Sequence, residues 1–297
     1  MKISTVQVPK SSAQVEHPAL DAISRRRLRA TVEELAYPRH YVANREANER
    51  ARDWLVAELG DFGYRVSLQG EFDNVVADPA GGSAESIVLL GAHYDTVPTT
   101  PGADDNNSAI AVCLEAARVL GQHGGPPVRV VIFNREEDGL LGSSEYVDSL
   151  SADQRSRISE THIFEMVGYY RREKGSQRKP GNLPIPLPDV GDFVGILSNS
   201  DSNRVASGVL RSAKRVGSSV PLLSLKVFLG IETHFGDLLR SDHSPFWAAG
   251  MPALMWTDTS EFRNPNYHRE TDTPETLDYD ALADVARLIV GHVLLAA

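Results

Sequence analysis

Five short runs, NVVAD, SIVLLGAHYD, VRVVIFNREE, HIFEMVGYY and MPALMWTD, punctuate this chain between residues 74 and 258. Several are too uniformly apolar to leave one face in water, which is the pattern of central strands covered on both sides. Helical stretches lie between and around them. Residues 43–60 place Ala51, Trp54, Leu55, Ala57 and Leu59 among charges, with Gly60 as a stop signal. NSAIAVCLEAARVLGQ, SNSDSNRVASGVLRSAKRVG and the terminal DYDALADVARLIVGHVLLAA complete the helical set. Strands that alternate with helices over the whole length predict a single α/β domain, with a mixed, mostly parallel central sheet covered by helices on both faces. Residues 1–20 read as an extension ahead of a catalytic domain spanning 21–297. The stretch RREKGSQRKPGNLPIPLPDVGD, residues 171–192, is basic and then rich in proline. It reads as a surface loop and, on the sharper view, as a wall of the substrate cleft.

Composition removes several classes of function. A net charge of −10 opposes a general nucleic-acid binder, which needs a basic surface. The single cysteine, Cys113, excludes an intrachain disulfide and a cysteine-rich zinc site, and its place among Ala, Val and Leu makes it a small core residue. No run has signal-peptide character or the length to span a bilayer, so the chain as written reads as soluble and cytoplasmic, a secreted mature form staying open.

Chemistry collects where the apolar runs end, at the carboxyl edge on which open α/β sheets place their ligands. His93, Tyr94 and Asp95 follow one strand, Asp104 and Asp105 lead into a helix, Glu136 and Glu137 follow another strand, and Glu165 ends a third. NYHRETDTPE supplies His268 after the last. Singly each is ordinary: an aspartate pair caps a helix, a glutamate pair sits in a turn. Together, so many carboxylates at one edge repel each other and destabilise the fold unless cations neutralise them. Histidine nitrogen with carboxylate oxygen and no thiolate suits a catalytic zinc site. GADDNNSAIAV lacks the lysine and glycine spacing of a nucleotide loop. His17, His40, His123, His162, His234 and His292 have no partners at ligand spacing and read as structural or surface residues. His243, in SDHSPF, reads as lying beside the substrate or behind the ligands, with Ser241 or Asp242 capping a helix there.

The ordered blocks GAHYDTV, GADDNNSAI, NREEDGLLGSSEY, SDHSPF and YHRETDTPE resemble those of the dinuclear zinc exopeptidases. That family includes leucine-type aminopeptidases, glutamate carboxypeptidase and, more remotely, the glutaminyl cyclases; the resemblance runs from about residue 40 to the C-terminus. It implies two divalent metal ions, Zn2+, one held by His93 and Glu165 and the other by Glu137 and His268. It implies that Asp104 bridges them through a cis peptide to Asp105. Asp95 would orient the His93 imidazole, and Asp272 would do the same near His268. Glu136 would be the general base for a metal-bridging water, and Tyr267 would hydrogen-bond the developing oxyanion. Many members have aspartate at the position of Glu165, so its extra methylene tests the fit of one metal. The activity implied is that of an aminopeptidase acting on short peptides. An amidohydrolase acting on acylated amino acids or at a carboxyl terminus stays open, since Arg171, Arg172, Arg240 and Arg263 could receive a carboxylate. A non-catalytic binding module on the same fold is the third reading.

Overall fold

The computed structural model describes residues 2–6, 15–81, 86–181 and 186–296. In chain order the strands are β1 (Lys2–Val6), β2 (Tyr64–Gln69), β3 (Asn74–Pro79), β4 (Ile87–His93), β5 (Val128–Phe133), β6 (Ile158–Glu165), β7 (Val194–Ser198), β8 (Leu222–Lys226) and β9 (Ala253–Thr257). The helices are α1 (Pro18–Asp21), α2 (Arg25–Glu34), α3 (Arg45–Asp61), α4 (Ala109–Gln122), α5 (Leu141–Ser149), α6 (Ala152–Arg157), α7 (Asn203–Val216), α8 (His243–Ala248) and α9 (Tyr279–Ala296). Among the described residues all strands join one nine-stranded sheet in the order β1-β8-β7-β9-β6-β4-β5-β3-β2.

The four central strands β9, β6, β4 and β5 run parallel, so their carboxyl ends share one edge. Antiparallel pairings of β3 on β5 and of β7 on β9 finish the sheet on either side. Residues 2–6, expected in a separate extension, instead pair with β8 as an antiparallel edge strand.

Two apolar layers explain the uniform strands. One face of β4 and β5 presents Leu90, Ala92, Val130 and Ile132 to a cluster built with α2, α3, α4, α7 and α9. The other presents Leu89, Val131 and Phe133 to a smaller cluster under α5 and α8. Alternate residues of one strand therefore serve opposite cores, and nothing on these strands has a wet face. Helix α4 is buried from Ala109 to Ala117 and on to Leu120, Cys113 included, so it is a core helix and the thiol is a packing group.

A buried cation ties the chain leading out of β4 to its surroundings. Arg39 is fully buried. Its guanidinium donates to the carbonyls of Tyr94, Leu35 at 2.8 Å, Tyr37 at 3.2 Å and Pro101 at 3.0 Å, and to the side chain of Asn107. Its backbone N–H bonds Thr96 Oγ1 at 2.9 Å. Burial lowers its pKa only to about 10, so it stays charged at neutral pH. Five donors in a rigid fork match this carbonyl ring in a way that an ammonium does not. Arg39→Ala leaves those carbonyls without a donor, and we expect a loss of about 3 kcal/mol or more, read as a lower urea midpoint at unchanged m-value. A midpoint within error of the parent would contradict that role.

Candidate metal centre

Each element delivers its side chain by position in the sheet. His93 is the last residue of β4, Glu165 the last of β6, and Glu136 and Glu137 lie in the turn after β5. Asp105 comes from the irregular turn 103–108 that feeds α4, and His268 from the loop after β9. The turn carries a cis peptide between Asp105 and Asn106.

These residues form two donor sets with one common member. His93 Nε2 is 3.3 Å from Asp105 Oδ1 and 3.5 Å from Glu165 Oε2. His268 Nε2 is 3.2 Å from both Asp105 Oδ2 and Glu137 Oε2. Within each set the ligand atoms lie inside 4.8 Å of one another, the spacing of a shared cation. Glu136 belongs to neither set, although its Oε2 lies 4.0 Å from His93 Nε2.

The tautomer of His93 shows why a cation fits. Its Nδ1 sits 3.1 Å from the carbonyl oxygen of Asp95, an atom that only accepts. A proton therefore stands on Nδ1, and Nε2 is the nitrogen aimed at the carboxylate oxygens, which raise the imidazole well above its ordinary pKa against its burial, so that this position calls for a positive charge. Nε2 is buried with no hydrogen-bond partner, as is Glu137 Oε1. Lone pairs facing lone pairs in a buried site are repulsive until a cation or proton intervenes. Imidazole nitrogen plus carboxylate oxygen is a donor set for zinc.

Asp105, and not Asp104, occupies the shared position, and the cis peptide lies one residue later than expected. Asp104 turns away: its Oδ1 accepts from the Gly168 N–H at 2.9 Å and its Oδ2 from Asn264 Nδ2 at 2.7 Å. It is also hydrogen-bonded to Asp258, whose pKa burial and the Asp104 carboxylate push well upward. Asp272, expected beside the His268 ring, instead accepts the backbone N–H groups of Asp104 at 3.0 Å and Asp105 at 3.1 Å. It holds the turn that presents Asp105.

Asp95 serves three partners. Its carboxylate accepts the N–H of Glu136 at 3.1 Å and of Glu137 at 3.2 Å, and its Oδ1 stands 3.5 Å from His93 Nδ1. One side chain thus fixes the β5 turn against the β4 histidine. Glu165 reaches the His93 set despite its extra methylene, and the Ser241 hydroxyl donates to its Oε2 at 2.7 Å. Ser241 and Asp242 do not cap α8 with their side chains; the Asp242 carboxylate is buried, and burial lifts it to about 7. His243 faces neither substrate nor ligands. Its Nε2 bonds the Leu238 carbonyl at 2.9 Å and its ring packs edge-on against Trp247.

Tyr267 stacks on His268 with ring centroids 3.7 Å apart. Its hydroxyl oxygen accepts from Arg240 Nη2 at 3.1 Å, and Arg240 is also ion-paired with Glu261. Both tyrosine and donor sets border a cavity of about 450 Å³ whose walls include Phe193, Ile196, Leu223, Leu225 and Met255. Pro180 and Leu187, from the proline-rich stretch, line it as well.

His162 and His292, read from the sequence as structural or surface residues without partners at ligand spacing, meet at Glu160. His292 Nε2 is 2.7 Å and His162 Nε2 3.4 Å from Glu160 Oε2. Here the tautomer is the opposite one. The Trp256 indole N–H donates to His162 Nδ1 at 3.1 Å, so the ring proton stands on Nε2 and faces the carboxylate. This group is a hydrogen-bonded brace between β6, β9 and α9, and the imidazole has no lone pair to offer a metal there.

Without metal, the site favours bound protons. Burial raises Glu137 to about 7 and Asp272 to about 8, and the neighbouring carboxylates Asp105 and Glu137 lift His268 to about 10 against its partial burial. All these groups hold protons to higher pH when folded than when unfolded, so stability falls as pH rises from about 5 to 9. Metal requires deprotonated ligands and opposes that trend. We expect the melting temperature of chelated protein to drop between pH 6 and pH 8.5, with a flatter or reversed slope once zinc is restored. A chelated protein that is more stable at the higher pH would contradict the assignment.

Comparison with known proteins agrees with this geometry. The model of Peptidase family M28 matches residues 74–293. The chain is 33% identical over 261 residues to the uncharacterized protein YfbL of Escherichia coli, covering 80% of this chain and 76% of that one. It is 34% identical over 211 residues to the aminopeptidase YwaD of Bacillus subtilis, covering 70% of this chain but 40% of that one. Among solved structures, a zinc aminopeptidase from Bacillus subtilis superposes with a TM-score of 0.56 at 31% identity, covering 75% of this chain and 49% of that chain. An aminopeptidase from Aneurinibacillus superposes over 94% of this chain and 95% of that one with a TM-score of 0.71 at 17% identity, a likeness of fold. The extent and placement of the family match leave one conclusion: this chain belongs to peptidase family M28.

Proposed function

We propose that this metallopeptidase is an aminopeptidase that removes an apolar N-terminal residue from short peptides, with Glu136 as general base. The observation that supports this reading most is the shared carboxylate Asp105, with Glu136 beside the two donor sets and in neither. His93, Glu165 and Asp105 would hold one divalent ion, and His268, Glu137 and Asp105 a second. When bound, such ions supply Lewis-acid polarisation of a carbonyl and bring the pKa of water to about 7.

The remaining steps belong to the chain. Glu136 takes the proton of the attacking water and hands it to the leaving amine. Burial holds its pKa well above that of an exposed glutamate, which suits a group that must keep the proton between those two events. Tyr267 has its oxygen occupied by Arg240, so its own hydrogen is free to point at the oxyanion as charge develops there.

Charge distinguishes an aminopeptidase from the carboxyl-terminal alternative. The rim of the cavity carries Asp105, Glu136, Glu137, Glu165, Asp237 and Glu261, whereas its one cation among the described residues, Arg240, is paired with Glu261. Ions on Asp105, Glu137 and Glu165 would cancel those charges, and the remaining Glu136, Asp237 and Glu261, set against Arg240, still favour an ammonium over a terminal carboxylate. Arg263, offered by the sequence as a carboxylate acceptor, is buried and spends its guanidinium on Gln177 and on the carbonyls of Tyr169 and Phe193. The apolar depth behind the rim fits a leucine-sized or larger side chain. Among the described residues no helix is long and apolar enough to cross a membrane.

Zinc-loaded protein is expected to cleave Leu-Ala-NH2 and not its N-acetylated form. Glu136→Gln is expected to lower kcat by at least about 100-fold while its metal content, measured by elemental analysis, stays that of the parent. Equal cleavage of the acetylated peptide, or full activity in Glu136→Gln, would overturn the proposal.

A further inference from the structure

Residues 169–178 and 261–269 border a second cavity, about 690 Å³, that among the described residues shares only Tyr267 and Glu261 with the first. Its charge is opposite. Arg171, Arg178, Arg263 and Arg269 line it against Glu173 and Glu261, in a chain whose net charge is −10. Glu261 is already neutralised by Arg240 on the side of the first cavity.

Two of these arginines are held in place without being neutralised. The Arg171 guanidinium stacks 4.1 Å above the Tyr169 ring, and its Nη1 donates to the Tyr170 carbonyl at 2.9 Å. Arg178 donates through Nη2 to the Glu261 carbonyl, and its backbone N–H bonds the Phe262 carbonyl at 2.8 Å. Among the described residues neither has a carboxylate partner, and neither does Arg269, which follows His268 directly. Guanidinium groups anchored through carbonyls keep their charge and their remaining N–H groups for a ligand.

The path of a substrate joins the two cavities. A peptide whose first side chain fills the apolar cavity places its scissile carbonyl at Tyr267 and Glu136. Everything beyond that bond then passes Tyr267, the border with the second cavity. We propose that this second cavity binds a carboxylate on the leaving side of the peptide, through Arg171, Arg178 and Arg269. The enzyme thereby prefers dipeptides, whose C-terminal carboxylate falls there, or peptides with an acidic second residue. The inference rests on the aminopeptidase reading and assigns its leaving-side specificity.

Steady-state kinetics of the zinc-loaded enzyme on Leu-Ala, Leu-Ala-NH2 and Leu-Asp-NH2 test it. We expect a KM for Leu-Ala about tenfold below that of Leu-Ala-NH2, the size of about one charge-assisted contact. The effect should lie in KM with kcat little changed, and should weaken with added salt. A gain for Leu-Asp-NH2 as well identifies a carboxylate of either source; a gain for Leu-Ala alone identifies the chain terminus. In the double variant Arg171→Gln/Arg178→Gln the ratio should fall toward one, and Arg171→Lys/Arg178→Lys should restore part of it. Cleavage of Leu-Ala and Leu-Ala-NH2 with equal KM overturns the inference and leaves the aminopeptidase standing. So does a ratio that survives the glutamine substitutions. Failure to cleave any of the three peptides overturns the aminopeptidase reading and this one with it.

Discussion

Electrostatic repulsion at the carboxyl edge of the sheet is the constraint that organises this molecule. Asp105, Glu136, Glu137 and Glu165 converge on two imidazoles inside an otherwise apolar fold. Burial of that many carboxylates is unfavourable by itself. The site persists because the surrounding chain holds each oxygen in place, and its histidine and carboxylate donors are those of a zinc site. Fold and chemistry are coupled here: the parallel strands β9, β6, β4 and β5 end together, so whatever follows them is forced into proximity.

The holding groups are a second layer of polar contacts with a consistent logic. Asp272 accepts two backbone N–H groups of the turn that carries Asp105, and Asp95 accepts two of the turn that carries Glu136 and Glu137. Ser241 bonds Glu165, and Arg39 gathers the carbonyls behind β4. Carboxylates that accept backbone N–H groups position loops without occupying the cavity. The same rule separates the two histidine clusters. His93 faces a carbonyl through Nδ1 and aims Nε2 at the carboxylates of the donor set, whereas His162 receives the Trp256 N–H and keeps its proton toward Glu160.

Much of this was legible in the sequence. The doubly covered strands announced themselves as unbroken apolar runs, and the chemical residues followed them directly. The outer strands did not. β2 (YRVSLQ), β7 (VGILS) and β8 (LLSLK) are short or mixed in polarity, and their assignment depends on neighbours that only the folded sheet supplies. β1 gave no signal as part of the domain, because an edge strand is defined by the backbone it pairs with. The exchange of Asp104 for Asp105 has a similar cause. Adjacent aspartates are chemically identical, and which one faces the histidines depends on the backbone course of the turn and on Asp272, which lies far away in sequence. His162 and His292 likewise meet across more than a hundred residues, at a spacing no local motif displays.

The central claim is that Asp105 is shared between two cations. Anomalous diffraction from crystals of the zinc-loaded protein, recorded on both sides of the zinc edge, tests it directly. The account predicts two peaks flanking the Asp105 carboxylate, one beside His93 and Glu165 and the other beside His268 and Glu137, with none at Glu160, His162 and His292. A single peak, or a pair bridged by Asp104, would contradict it.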